Sequence, residues 1–225
     1  TRALGVFESE KLRQIADSST IVVPPATIRA PRMAADVIVT HFPPNWRRLM
    51  LLAGLKLRNP EARIVHVEHS YTRAWEATHV PSMSRFRAML WLAMRLVDKI
   101  VCVSHAQAAW LQEAARIDAG RITVIHPYAE NPGLADLPLP EPGERLRIGA
   151  YGRFCEQKGF DDLVAAFRSG WFPNCDLFLG GFGEDEAKLR AMADGCPAIC
   201  FAGKVDDVAA FLRNCDVVAV PSRWE

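Results

Sequence analysis

Two cations, Arg153 and Lys158, stand on a loop bracketed by Gly152 and Gly159. The apolar run 146–151 leads into them, and a helix-like stretch with Asp161 and Asp162 in its first turn follows. A plain turn needs no such pair of charges. A flexible backbone, a helix N-terminus and two cations together suit a phosphate or diphosphate. Spacing alone leaves the alternative of solvated loop charges open. Two similar corners come later. Gly180, Gly181 and Gly183 precede one acidic helix start; Gly203, followed by Lys204, Val205 and a capping Asp206, precedes another. Each corner by itself is ordinary strand-to-helix turn chemistry. Three in succession on one sheet edge, with the cations, favour a nucleotide site. The dinucleotide fingerprint G-x-G-x-x-G and the P-loop pattern are both absent.

The first half offers histidines. IVHVEHS carries His66, Glu68 and His69, and strand alternation puts His66 and Glu68 on one face and His69 on the other. A metal site made from these three is a minor alternative. His41, in VTHFPP, and His126, before Pro127, also end strand-like runs. Ser104 reads as a helix N-cap, and His79 and His105 carry no assignable role.

These residues need elements to position them. Short apolar runs at 21–23, 37–40, 64–68, 100–104, 122–126, 146–151, 177–180, 199–202 and 217–220 predict strands. They are continuous rather than alternating, as in parallel sheets covered on both faces. Helical patterns lie between them at 6–17, 45–57, 82–97, 105–116, 160–168, 184–194 and 206–214. The alternation predicts an α/β fold. The stretch around Pro132, Pro138, Pro140 and Pro142 predicts a linker without a helix or central strand. The chain thus divides into a domain over 1–130, a linker over 131–143 and a second domain over 144–225. Ligands of doubly wound sheets bind beyond the carboxyl ends of the strands, so the default site is a cleft faced by both domains.

A formal net charge of +1 excludes bulk nucleic-acid binding. The six cysteines form no C-x-x-C pair, and scattered thiols fit a reducing cytoplasmic compartment. No apolar run is long enough to span a bilayer. The segment 84–99, with Arg85, Arg87, Arg95 and Lys99, reads chiefly as a helix packed on the sheet, and secondly as one lying on an anionic membrane surface. Both ends of the chain read as cut: no strand precedes the first helix-like stretch, and no helix follows the last strand.

As a set, these motifs resemble those of retaining GT-B glycosyltransferases of the GT4-like family (glycosyl transferases group 1). GRFCEQKGFDDLVAAF is similar to that family's GR-x4-KG segment, LFLGGFGEDEAKL to its G-x-G strand and helix, and ICFAGKVDDVAAFLRNCDVVAVPSRWE to the run that ends in PS-x-x-E. DKIVCVSHAQAAWL and ITVIHPYAEN resemble first-domain segments, and the match is weakest over the first 80 residues. The resemblance implies two Rossmann-like domains facing a cleft. It also implies an enzyme that moves a hexose from a nucleotide-diphosphate sugar to a glycan or lipid-linked acceptor, without metal or other cofactor. Arg153 and Lys158 would hold the diphosphate, and Gly152, Gly181 and Gly183 would admit the nucleotide. Lys204 and Val205 would lie near the base, His69 would be the cleft histidine, and Glu225 the first carboxylate of the E-x7-E motif. The family's N-terminal glycine-rich loop and second glutamate are not in the sequence, which implies a chain truncated at both ends and leaves open whether it is active alone. The alternatives are a sugar-nucleotide epimerase of the same shape and a non-catalytic nucleotide-sugar-binding fragment.

Overall fold

A computed structural model describes residues 4–5, 21–22, 30–128, 132–135, 137, 141 and 143–224. The helix expected at 6–17 and the carboxylate of Glu225 lie outside them. Chain contacts divide the protein into two compact units, Thr1–Pro127 and Tyr128–Glu225.

In the first unit, β1 (Leu4–Gly5) and β2 (Ile21–Val22) form a short parallel pair. The main sheet is parallel, in the order β3 (Val37–Thr40), β4 (Arg63–Glu68), β5 (Lys99–Cys102) and β6 (Ile122–Val124). The intervening helices are α1 (Trp46–Arg58), α2 (Arg73–His79), α3 (Met83–Arg95) and α4 (His105–Ala115). Side-chain caps start three of them. Asn45 accepts from Arg48 N, Thr72 from Trp75 N and Ser104 from Gln107 N, each satisfying an amide left over by helix geometry. The core gathers Leu52, Ile64, Leu90, Met94, Ile100, Trp110 and Leu111. The buried Glu76 carboxylate accepts from Arg87 at 2.8 and 3.0 Å and from Trp110 Nε1 at 2.9 Å, so its charge is compensated where water cannot reach.

The second unit has one parallel sheet in the order β10 (Val217–Val218), β7 (Leu146–Arg153), β8 (Cys175–Phe182) and β9 (Ile199–Gly203). Between the strands run α5 (Phe160–Arg168), α6 (Glu186–Ala193) and α7 (Val208–Leu212). Ile148, Ala150, Phe154, Phe160, Val164, Leu177, Leu179 and Leu189 form its core.

Several expectations need correction. A strand, β1, precedes the first helix-like stretch where none was expected. The strand expected over 100–104 stops at Cys102, because Ser104 is taken up in capping α4. Asp207, not Asp206, caps α7 by accepting from Ala210 N at 2.9 Å. The strand expected over 122–126 stops at Val124, because Pro127 brings no N–H to continue the ladder. The strand expected over 217–220 stops at Val218, short of Pro221. Helix α2 was not foreseen; its seven residues are too few to display a helical period. The linker does hold one helical turn, Pro132–Ala135, begun by a proline whose missing N–H costs nothing at a first helical position. The segment 84–99 packs as expected, with Met89, Leu90, Ala93 and Met94 of α3 buried.

Strand β10 is anchored by Asp216. Its carboxylate accepts from Arg147 N at 2.7 Å and from the Arg147 guanidinium at 3.0 and 2.7 Å. The side-chain bond and then the backbone bond from Arg147 push the carboxyl down from 3.8 to about 2. The stabilisation is therefore complete above 3.8 and is lost as pH falls through about 2. Acid titration followed by circular dichroism should show a stability loss in this window. Asp216→Asn should be less stable at neutral pH and show a flatter acid limb.

Candidate functional site

The strand order of the second unit creates a topological switch. From β7 the chain adds β8 and then β9 on one side, and afterwards crosses to place β10 on the other side of β7. The crevice of such a sheet opens at the carboxyl ends of the two strands flanking the switch, here β7 and β10. Strand β7 ends with Gly152 and Arg153. The loop after it is a tight turn, Glu156–Lys158, followed by Gly159 in the left-handed conformation (φ 61°) and then α5.

Arg153 is exposed, and no hydrogen bond or ion pair engages its guanidinium among the described residues. Lys158 is half-buried, with its amide donating to Cys155 O at 3.0 Å. The segment after β10 is bound to this same turn. Arg223 N donates to Gln157 O at 2.8 Å, and Gln157 Nε2 donates to Trp224 O at 3.2 Å. The Arg223 guanidinium donates to Glu156 O at 2.7 Å and pairs with Asp161 at 2.9 Å and Asp162 at 2.7 Å. A side chain on Gly159 would collide with the Pro221 carbonyl. The backbone leading to Glu225 is thereby held against the loop of Arg153 and Lys158. Arg223 and Gln157 went unnoticed in the sequence. Their signal was adjacency to GR-x4-KG and PS-x-x-E, and only the pairing of β10 with β7 makes those two motifs neighbours.

The glycines have a reason internal to the sheet. Gly152 and Gly181 are register partners on β7 and β8. A Cβ on Gly181 (φ 145°) would overlap the Gly152 carbonyl, and one on Gly183 would overlap the Phe154 carbonyl. Phe154 N donates to Phe182 O at 2.9 Å and Asp185 N to Phe154 O at 3.0 Å, so the two loops lie directly on each other. Gly152, Arg153, Gly181 and Gly183 are therefore brought together. At the end of β9, Lys204 pairs with Asp206, and Val205 fills the space above Gly180.

In the first unit His66 and Glu68 are buried and His69 is exposed, as alternation requires. His41 and His69 meet at 3.0 Å, Nδ1 to Nε2. Beneath them Thr40 Oγ1 and His66 Nδ1 are 2.9 Å apart. His66 Nε2 faces Glu68 Oε2 at 3.6 Å, and neither atom has a hydrogen bond. Burial, with the Glu68 charge second, raises the Cys102 thiol to about 12 and the Tyr71 phenol to about 12. No group of three or more His, Cys, Asp or Glu among the described residues is arranged to hold a metal.

Two family models match the chain. Glycosyltransferase Family 4 covers residues 16–128, half of the chain, and Glycosyl transferases group 1 covers residues 145–225. The phosphatidyl-myo-inositol mannosyltransferase of Mycolicibacterium smegmatis is 29% identical over 83% of this chain and 47% of its own length. The lipopolysaccharide core biosynthesis glycosyltransferase LpsE of Rhizobium meliloti is 33% identical over 39% of this chain and 26% of its own. The chain thus spans about half or less of these curated relatives. Among solved structures, Anabaena HepE in complex with UDP and glucose aligns with a TM-score of 0.61 at 18% identity, over 83% of this chain and 52% of that one. The lipopolysaccharide outer core galactosyltransferase WaaB aligns with a TM-score of 0.58 at 14% identity, over 83% and 50%.

Gly181→Ala is expected to cost about 3 kcal/mol or more, because only backbone stands where the methyl must go. Gly170→Ala, where φ is 80° but nothing lies within 4 Å, should cost about 1 kcal/mol from left-handed strain alone. Thermal melts of the two variants make the comparison; equal losses would mean that the loops yield.

Proposed function

The chain belongs to glycosyltransferase family 4, and from that premise we propose that it transfers a glycosyl group from a nucleoside-diphosphate sugar to an acceptor hydroxyl, with retention and without a metal. The observation that carries this reading is the unengaged guanidinium of Arg153 at the switch-point end of β7, one turn from Lys158. In this reading the two cations take the diphosphate and stabilise the charge that grows on it as the glycosidic bond breaks. The anomeric carbon passes through an oxocarbenium-like state. The acceptor oxygen bonds to it from the face the diphosphate leaves, and the acceptor proton passes to the departing phosphate oxygen. Glu225 and His69 contact hydroxyls of the donor sugar. Lys204 and Val205 border the base. HepE was crystallised with UDP, which makes UDP the first nucleotide to test.

The acceptor in this proposal is a glycan or a lipid-linked hydroxyl. Support for a membrane-borne acceptor comes from the outer surface of α1 and α3, which pack together. Trp46, Met50 and Leu92 are exposed on these helices, as are Arg47, Arg85 and Arg95, and Trp46, Ser84, Arg85 and Ala88 line one shallow depression. Aromatic and apolar side chains among cations suit an anionic bilayer surface.

Calorimetric titration with UDP, GDP and ADP in EDTA tests the first part. One nucleotide should bind, and Arg153→Ala with Lys158→Ala should weaken it on the order of 100-fold. Undiminished binding by the double variant would rule out the diphosphate loop, and a requirement for added divalent cation would rule out metal independence. Co-sedimentation tests the second part. Vesicles rich in phosphatidylglycerol should retain the protein better than phosphatidylcholine vesicles, and Arg85→Glu with Arg95→Glu should abolish the difference.

A further inference from the structure

Two exposed histidines at neighbouring strand ends share a hydrogen bond with unusually firm support beneath it. His41 follows β3 and His69 follows β4. The nitrogens are 3.0 Å apart, and the rings are 18° from parallel with centroids 5.3 Å apart. Exposed side chains hold such a bond only if little entropy is left to lose, and here the backbone is fixed in three ways. Glu68 Oε1 accepts from Ser70 N at 2.7 Å and Tyr71 N at 3.0 Å, which bends the chain directly after His69. Tyr71 Oη donates to Pro44 O at 2.7 Å, tying that bend to the segment after His41. On the buried face the contact between Thr40 and His66 joins the same two strands.

A bond between two imidazole nitrogens contains one proton, so one ring donates and the other accepts. Burial, and then the neighbouring His69 and His66, hold the His41 imidazole below its ordinary range, so it is neutral near neutral pH. If His41 accepts at Nδ1, its own proton lies on Nε2 and His69 donates from Nε2. His69 then keeps an unprotonated Nδ1, a nitrogen that no described residue engages.

We propose that His41 is a positioning residue for His69. It fixes the ring and its Nε2–H tautomer, and leaves Nδ1 of His69 as a lone-pair acceptor for a hydroxyl of the donor sugar. The substrate role rests on the glycosyl-transfer reading above; the tautomer choice does not.

Long-range proton–nitrogen correlation spectra of the isotope-labelled chain report each ring's tautomer. The wild-type His69 ring should be protonated at Nε2 alone. His41→Ala should give a mixture of tautomers, and His41→Asn, whose side-chain oxygen takes the place of Nδ1, should restore a single one. A His69 spectrum unchanged in His41→Ala, or a wild-type ring protonated at Nδ1, overturns the proposal. Sugar transfer by the same variants supplies the second readout. With His41→Ala, kcat should fall on the order of tenfold, one hydrogen bond's worth, while KM for the nucleotide sugar changes little and His41→Asn recovers the rate. Loss of the tautomer with kcat unchanged overturns the positioning role. Spectra that behave as expected in a wild-type chain that transfers no sugar overturn the transfer reading and the substrate role with it, and leave the histidine pair standing.

Discussion

A parallel strand cannot reach its neighbour through a hairpin. To lie beside β7, β10 has to return across the sheet after β9 has been laid on the far side, and no local turn dictates where it docks. The Asp216 carboxylate does, by holding both the backbone N–H and the guanidinium of Arg147. The Asp216 N–H closes the pair by donating to Arg147 O at 2.8 Å. With β10 fixed, Cys215 Sγ occupies the space over Gly149, and Pro221, Arg223 and Trp224 are delivered to the turn at Glu156–Lys158. The candidate site is a consequence of that single docking event.

Charge around the site is distributed by the same geometry. Asp161 and Asp162 suit the N-terminus of α5, yet two bare carboxylates beside the proposed diphosphate loop would repel its ligand. Arg223 and Lys188 neutralise them. Against the cost of burial, their hydrogen bonds hold the Asp161 carboxyl below its ordinary range. Arg223, a cation two residues before Glu225, is thus engaged by the loop's own acids, whereas the exposed Arg153 guanidinium has no partner among the described residues.

The first unit follows a different scheme, in two layers. Inward-pointing residues at the ends of β3 and β4 tie the two strands together, and the residue that follows each strand presents an imidazole. The inner layer includes the unsatisfied pair His66 Nε2 and Glu68 Oε2. Buried polar atoms left this way are costly. Their tolerance here fits the work done by the other Glu68 oxygen, which shapes the turn after His69 through two backbone amides.

Much was legible in the sequence because parallel strands are read from continuous apolar runs, and a helix start from a capping residue such as Ser104. Strand β3 and helix α5 fall where the pattern puts them. Local chemistry also marked Arg153, Lys158 and the glycines as a set. The sequence did not show that Gly181 and Gly183 are required by carbonyls of the neighbouring strand and loop, that Arg223 and Gln157 lace the end of the chain to the cation loop, or that His41 meets His69. Each of these contacts joins residues far apart in the chain, and their distance depends on strand order and register. Periodicity and turn chemistry report only what a residue does with its near neighbours, whereas the order β10-β7-β8-β9 depends on contacts between residues far apart in the chain, such as Asp216 with Arg147.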